Sequence, residues 1–153
     1  MIREAHPTDI SRITLLAQQD HENSWYRNIP PDPVKFRKLV VMLMVNKQHL
    51  ALVSEVAGEV VGVLLGVTDE IFFSRKKSAT DIFTHVEPGH VWESVQLIRA
   101  FVEWAKARES VYQIVMTVSS DLVGPEKARM IYGRAGLHYY GGSFVWFRGI
   151  HHE

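Results

Sequence analysis

The chain has 153 residues, 46% hydrophobic and 22% charged, which is the usage of a globular domain large enough to bury a continuous core. Its 17 Lys and Arg balance 17 Asp and Glu, removing any general attraction for nucleic acid or an anionic membrane. Cysteine is absent, so disulfides, thiol nucleophiles and thiolate metal sites are excluded.

Residues 1–4 read as a short strand. Pro7 suits a first helical turn, where its missing N–H costs little. Ile10, Ile13, Leu16 and Ala17 follow at helical spacing and predict an amphipathic helix over 6–19. A loop over 21–33, punctuated by Pro30, Pro31 and Pro33, carries Trp25 and Tyr26. Those two rings either cover the edge of the core or line a substrate entrance. A second helix is expected over 32–46, with Phe36, Leu39, Val40, Leu43 and Met44 on its buried side. Leu50–Val56 and residues 60–67 are β-branched runs joined by Ala57-Gly58, a hairpin pattern. Ile71, Phe72 and Phe73 lead into a solvated loop with the basic run Arg75, Lys76 and Lys77. The next strand spans 81–86 and stops at Glu87-Pro88-Gly89.

A long helix over 92–108 follows, with Val95, Ile98, Val102 and Ala105 as its apolar stripe. Residues 113–118 read as a buried strand, and 125–135 as a helix closed by Gly136. Residues 137–140, Gly141-Gly142 and 144–147 complete a final hairpin. The apolar run over 39–45 is far short of the about 20 residues that cross a bilayer. With no apolar leader at the N-terminus, a cytoplasmic protein is expected. The order βααβββαβαββ implies an α/β (α+β) fold: a mixed, mostly antiparallel central sheet with helices on both faces. One domain over 1–150 and a short tail over 151–153 account for the chain.

Five stretches have a recognisable sequence and order: IREAHPTDISRI; HLALVSEVAGEVVGVLLG, with its V-G-x-x-x-G run; DIFTHVEP; LIRAFVEWAKAR; and ARMIYGRAGL. The last fits A-x-x-I/L-Y-x-x-x-G-F/L and places Ala128, Tyr132 and Gly136. Together they resemble the GNAT superfamily of N-acetyltransferases over nearly the whole chain. EIFFS before the fourth strand and LIRAFVEWA after it are most similar to a subgroup common in bacteriophage genomes, which would place the protein in a host cytoplasm or a virion.

The resemblance implies acetyl-CoA as co-substrate, lying where the fourth and fifth strands part. The backbone of Phe83, Thr84, His85 and Val86 would pair with its pantetheine amides. Its pyrophosphate would meet the start of the next helix, at Gly89, His90, Val91, Ser94 and Val95. Tyr132 would face the sulfur as general acid. The family's phosphate loop reads R-x-x-G-x-G/A; here GHVWESVQ stands between Pro88 and Leu97, a degenerate version with no arginine and one glycine. Glu93 would repel a diphosphate there, and Trp92 would crowd it. Strand alternation puts Asp81, Phe83 and His85 on one face, so Asp81, or His85 through a water, is the expected base.

The expected chemistry is direct attack of a primary amine on acetyl-CoA, with Tyr132, Asp81 and His85 as catalytic residues. The alternative is a catalytically inactive GNAT-like structural or interaction protein, for example in a phage particle, since a fold alone does not fix function. The loop over 89–96 separates the two. Eight histidines include His85 and His90, whose spacing fits no common ligand pattern, and no metal is expected. There is no G-x-S-x-G elbow. The apolar face of the last hairpin, with Phe144 and Trp146, would suit a homodimer.

Overall fold

The computed structural model describes residues 1–118 and 124–141. The elements are β1 (Ile2–Glu4), a 3-10 turn (Pro7–Asp9), α1 (Ile10–Glu22), α2 (Pro33–Val45), β2 (Leu50–Val56), β3 (Glu59–Glu70), β4 (Lys77–Val86), α3 (Val91–Lys106), β5 (Val111–Val115) and α4 (Pro125–Arg134). The order is the expected one as far as α4. Residues 137–140 form no ladder among the described residues, and the other half of the expected hairpin, with Phe144 and Trp146, lies outside them.

The five strands lie in the order β1-β2-β3-β4-β5. The first four pair antiparallel, and β5 joins β4 in parallel after the α3 crossover. Ala57 and Gly58, both at positive φ (50° and 83°), make the two-residue turn between β2 and β3. α1 and α2 cover one face of the sheet, where Ile13, Leu16, Val40 and Leu43 pack on Val53, Val63 and Leu65. α3 covers the other through Leu97, Phe101 and Ala105, against Leu52 and Leu64. Val95, Ile98 and Val102 of the same helix turn instead toward Ile131 and Ala135 of the α4 region. α3 therefore buries two faces, only one of which is the stripe visible in its sequence.

Several boundaries differ from the expectation for local reasons. α1 begins three residues after Pro7, because Pro7–Asp9 is a tighter 3-10 turn, and it runs on to Glu22. Asp32 is not in α2 but caps it, its carboxylate accepting the Lys35 N–H at 3.0 Å. Asp32→Ala should cost about 1 kcal/mol, read as a lower urea midpoint at unchanged slope. β5 is an exposed strand, with Tyr112 78% accessible, rather than a buried one. No helix among the described residues is long and apolar enough to cross a membrane.

Candidate active site

β4 and β5 pair only from Lys77 opposite Val111 to Thr80 opposite Val115. Beyond that point they part, and a cleft of about 410 Å³ opens between them, walled also by α1, α3 and α4. From Ile82 to Val86 the edge of β4 that faced β5 has no ladder among the described residues.

Asp81 lies in the middle of β4, which begins four residues earlier than its sequence suggests. Gly66 pairs with Asp81 and Leu65 with Phe83, so Ile82 is the extra residue of a β-bulge. The bulge reverses the alternation. Asp81 shares the α3 face with Ala79, Thr84 and Val86, while Phe83 and His85 face α1 and α2. The expectation that Asp81, Phe83 and His85 share one face is corrected here, because a simple period of two cannot cross a bulge.

The Asp81 carboxylate accepts the Thr84 hydroxyl at 2.8 Å and reaches across the split to accept the Thr117 N–H at 3.3 Å. Burial pushes its carboxyl up to about 6, against these two stabilising hydrogen bonds. Tyr132 projects from the last turn of α4. That turn is closed by the Leu137 N–H on the Tyr132 carbonyl (3.1 Å) and the Gly136 N–H on the Gly133 carbonyl (3.0 Å). Gly136, at φ +89°, accepts the left-handed conformation this closure needs, and so fixes the tyrosine. Burial first, then the charges of Asp81 and Asp20, push the Tyr132 phenol well above its ordinary value. Its hydroxyl has no hydrogen-bond partner among the described residues.

On the opposite wall, His85 Nδ1 meets Asp20 Oδ1 at 3.2 Å, and the ring stacks on Phe83. His85 Nε2 is buried without a partner among the described residues. Tyr26 lines the cleft, whereas Trp25 does not. Asp20 also lines it and was not anticipated. Its signal was present: it falls in register with Ile13 and Leu16 on the buried stripe of α1, where a carboxylate needs a reason.

Of the expected cofactor contacts, Phe83, Thr84, His85, Val86, Ser94 and Tyr132 line the cleft. Gly89, His90 and Val91, at the start of α3, are not among the residues lining it; Gly89 has φ +95° and open space where a side chain would be. Val95 is 1% exposed and packed among Ile98, Val102 and Ile131, so its side chain belongs to the core. The helical ladder already begins with the Ser94 N–H on the His90 carbonyl, which leaves Val95 inside it. Trp92 does not crowd the cleft; it is 54% exposed, with Arg99 over its ring. Glu93 remains in the first turn, 3.7 Å from His90. Glu87 is turned away and paired with Arg12 at 2.8 Å.

No family model matches the sequence, and no curated protein matches it. Solved structures do. A possible acetyltransferase from Clostridium difficile 630 aligns over 99% of this chain and 98% of its own, with TM-score 0.70 and 14% identity. A transcriptional regulator from Bacillus halodurans C-125 aligns over 96% and 99%, with TM-score 0.71 and 20% identity. A ribosomal-protein-alanine N-acetyltransferase from Brucella melitensis biovar Abortus 2308 aligns over 96% and 99%, with TM-score 0.65 and 18% identity. The chain thus has the mixed α/β fold of the GNAT acetyltransferases. At these identities the likeness concerns the fold, and chemistry must be argued from the cleft.

Proposed function

We propose that the protein is an N-acetyltransferase that moves the acetyl group of acetyl-CoA to a primary amine by direct attack. The observation that carries this reading is the split between β4 and β5, with a buried carboxylate and a tyrosine hydroxyl facing one cleft. The pantetheine end fits: the edge of Ile82–Val86, without a ladder among the described residues, can hydrogen-bond an extended amide chain as an added strand would. The diphosphate end fits less well. Free N–H groups at the start of α3 and the open Gly89 favour an anion, while Glu93 opposes one.

Bound acetyl-CoA supplies an activated acetyl carbon and a thiolate leaving group. Asp81, poised by burial near neutral pH, takes the proton that the attacking nitrogen must lose. Tyr132 stays protonated throughout the physiological range, so it serves as a hydrogen-bond donor to the departing sulfur. Thr84 and Thr117 hold the Asp81 carboxylate in place.

Titration calorimetry with acetyl-CoA tests this directly. The expected result is saturable one-site binding in the micromolar range, kept by Tyr132→Phe and tightened by Glu93→Gly. Tyr132→Phe should retain that affinity and lose at least about tenfold in turnover. Absence of heat and of any thermal shift at millimolar acetyl-CoA would overturn the reading. It would favour the second one, an inactive GNAT-like structural or interaction protein, for which Glu93 in the phosphate position is the supporting feature.

A further inference from the structure

The cleft has two carboxylates, Asp20 on the α1 wall and Asp81 on β4, and no Lys or Arg lines it among the described residues. Both acids lie within electrostatic reach of one hydroxyl, that of Tyr132. They are held differently. Asp81 is bound at both oxygens, by Thr84 and Thr117. Asp20 is bound through Oδ1 alone, by His85, and its Oδ2 has no partner among the described residues.

His85 accounts for this asymmetry. Its side chain is 4% exposed and stacked on Phe83, so it cannot follow a ligand. A proton on the buried Nε2 would be an orphaned donor, costly at such a site. The arrangement that Asp20 satisfies is a ring with a proton on Nδ1, donated to Oδ1. Asp20 is then pinned in one orientation, with Oδ2 left over among the described residues. The Asp20 side chain is only 13% exposed, and a cation meeting it there is attracted more strongly than in open water.

We propose that the acceptor is a compact dication, one nitrogen reacting beside Asp81 while a second cationic group is held by Oδ2 of Asp20. Asp20 is then a specificity determinant and His85 its positioning residue. A monoamine of the same length, with its nitrogen beside Asp81, leaves Oδ2 of Asp20 without a cation in a largely buried wall, and the site discriminates against it for that reason. The inference rests on the acetyl-transfer reading for the role of Asp81, but not for the binding of the second cation.

The test uses α,ω-diaminobutane and n-butylamine, which share one carbon chain and differ by one charge. Calorimetric binding of each to the wild-type chain, without acetyl-CoA, should favour the diamine by at least about tenfold. Asp20→Asn keeps the acceptor oxygen for His85 and should erase that preference, weakening the diamine far more than n-butylamine. Asp20→Glu, which restores the charge, should recover part of it. In turnover with acetyl-CoA, Asp20→Asn should raise the KM for diaminobutane about tenfold while kcat is kept. Equal affinities for the two amines, or an equal loss of both in Asp20→Asn, would overturn the proposal. So would failure of both amines to bind. A chain that binds the diamine through Asp20 yet ignores acetyl-CoA loses the acetyl-transfer reading and keeps the dication site. A chain that acetylates both amines equally loses the dication site alone.

Discussion

Asp81→Asn should lower turnover about 10²–10⁴-fold while making the folded chain more stable above neutral pH. The first effect follows from losing the proton acceptor beside the attacking nitrogen. The second follows from the direction of the shift. Burial raises the carboxyl from 3.8 to about 6, so the folded chain holds this proton more tightly than the unfolded chain does. The favourable contribution is complete below about pH 4, falls as pH rises through about 6, and is gone above it. The difference between 3.8 and about 6 corresponds to about 3 kcal/mol. The hydrogen bonds to Thr84 and Thr117 are already contained in that net shift, and an amide can keep both contacts, its oxygen accepting the Thr117 N–H and its NH2 donating to the Thr84 hydroxyl oxygen. Asp81→Asn should therefore be about 3 kcal/mol more favourable at about pH 8 than below about pH 4, where the carboxyl it replaces is protonated in the folded and unfolded chain alike, measured by urea unfolding at both. Wild-type activity should rise with pH through about 6, where the carboxylate forms. An Asn variant with undiminished turnover would remove Asp81 from the mechanism. Equal stability changes at both pH values would remove desolvation as the cause of the shift.

The fold was legible to the extent that local signals agree with one another. The β2–β3 hairpin was readable because β-branched runs flank a two-residue turn, and α4 because a helical pattern meets Gly136. The start of β4 was not. Lys77, Ser78 and Thr80 look like loop residues, and they become strand because β3 offers a long partner and β5 closes the other edge. The site was readable residue by residue and not as a geometry. Asp81, His85 and Tyr132 all reach the cleft, but the bulge at Ile82 sends Asp81 to one wall and His85 to the other. A bulge depends on the register of two strands, which no single strand's pattern contains. Asp20 is 65 residues from His85, and only the packing of α1 on the sheet brings them together.

Gly66→Ala should destabilise the chain by about 1–3 kcal/mol, a large effect for one methyl group. The V-G-x-x-x-G run owes its second glycine to helix packing, and its first to Val86 of β4, 2.8 Å from where a Cβ would stand, as well as to the helix. Gly62 and Gly66 lie on the same face of β3, the one covered by α3. A Cβ on Gly62 would stand 3.1 Å from Leu97, and one on Gly66 only 2.5 Å from the ring of Phe101. Phe101 is fully buried and stacked on Trp104, so the ring has nowhere to go and the strand must yield. Phe101→Leu should make room, and Gly66→Ala should then cost less in the double variant than alone, with a coupling of at least about 1 kcal/mol. Additive losses would mean that the ring is not what the glycine accommodates. The consequence reaches the cleft, because Gly66 pairs with Asp81 at the edge of the bulge. A strand pushed off Phe101 carries Asp81 with it, away from the Thr117 N–H across the split. Gly66→Ala should therefore lower kcat, by more than its loss of stability explains, at temperatures where the variant is still fully folded. A variant that is destabilised yet turns over normally would separate the packing of β3 from the placement of Asp81.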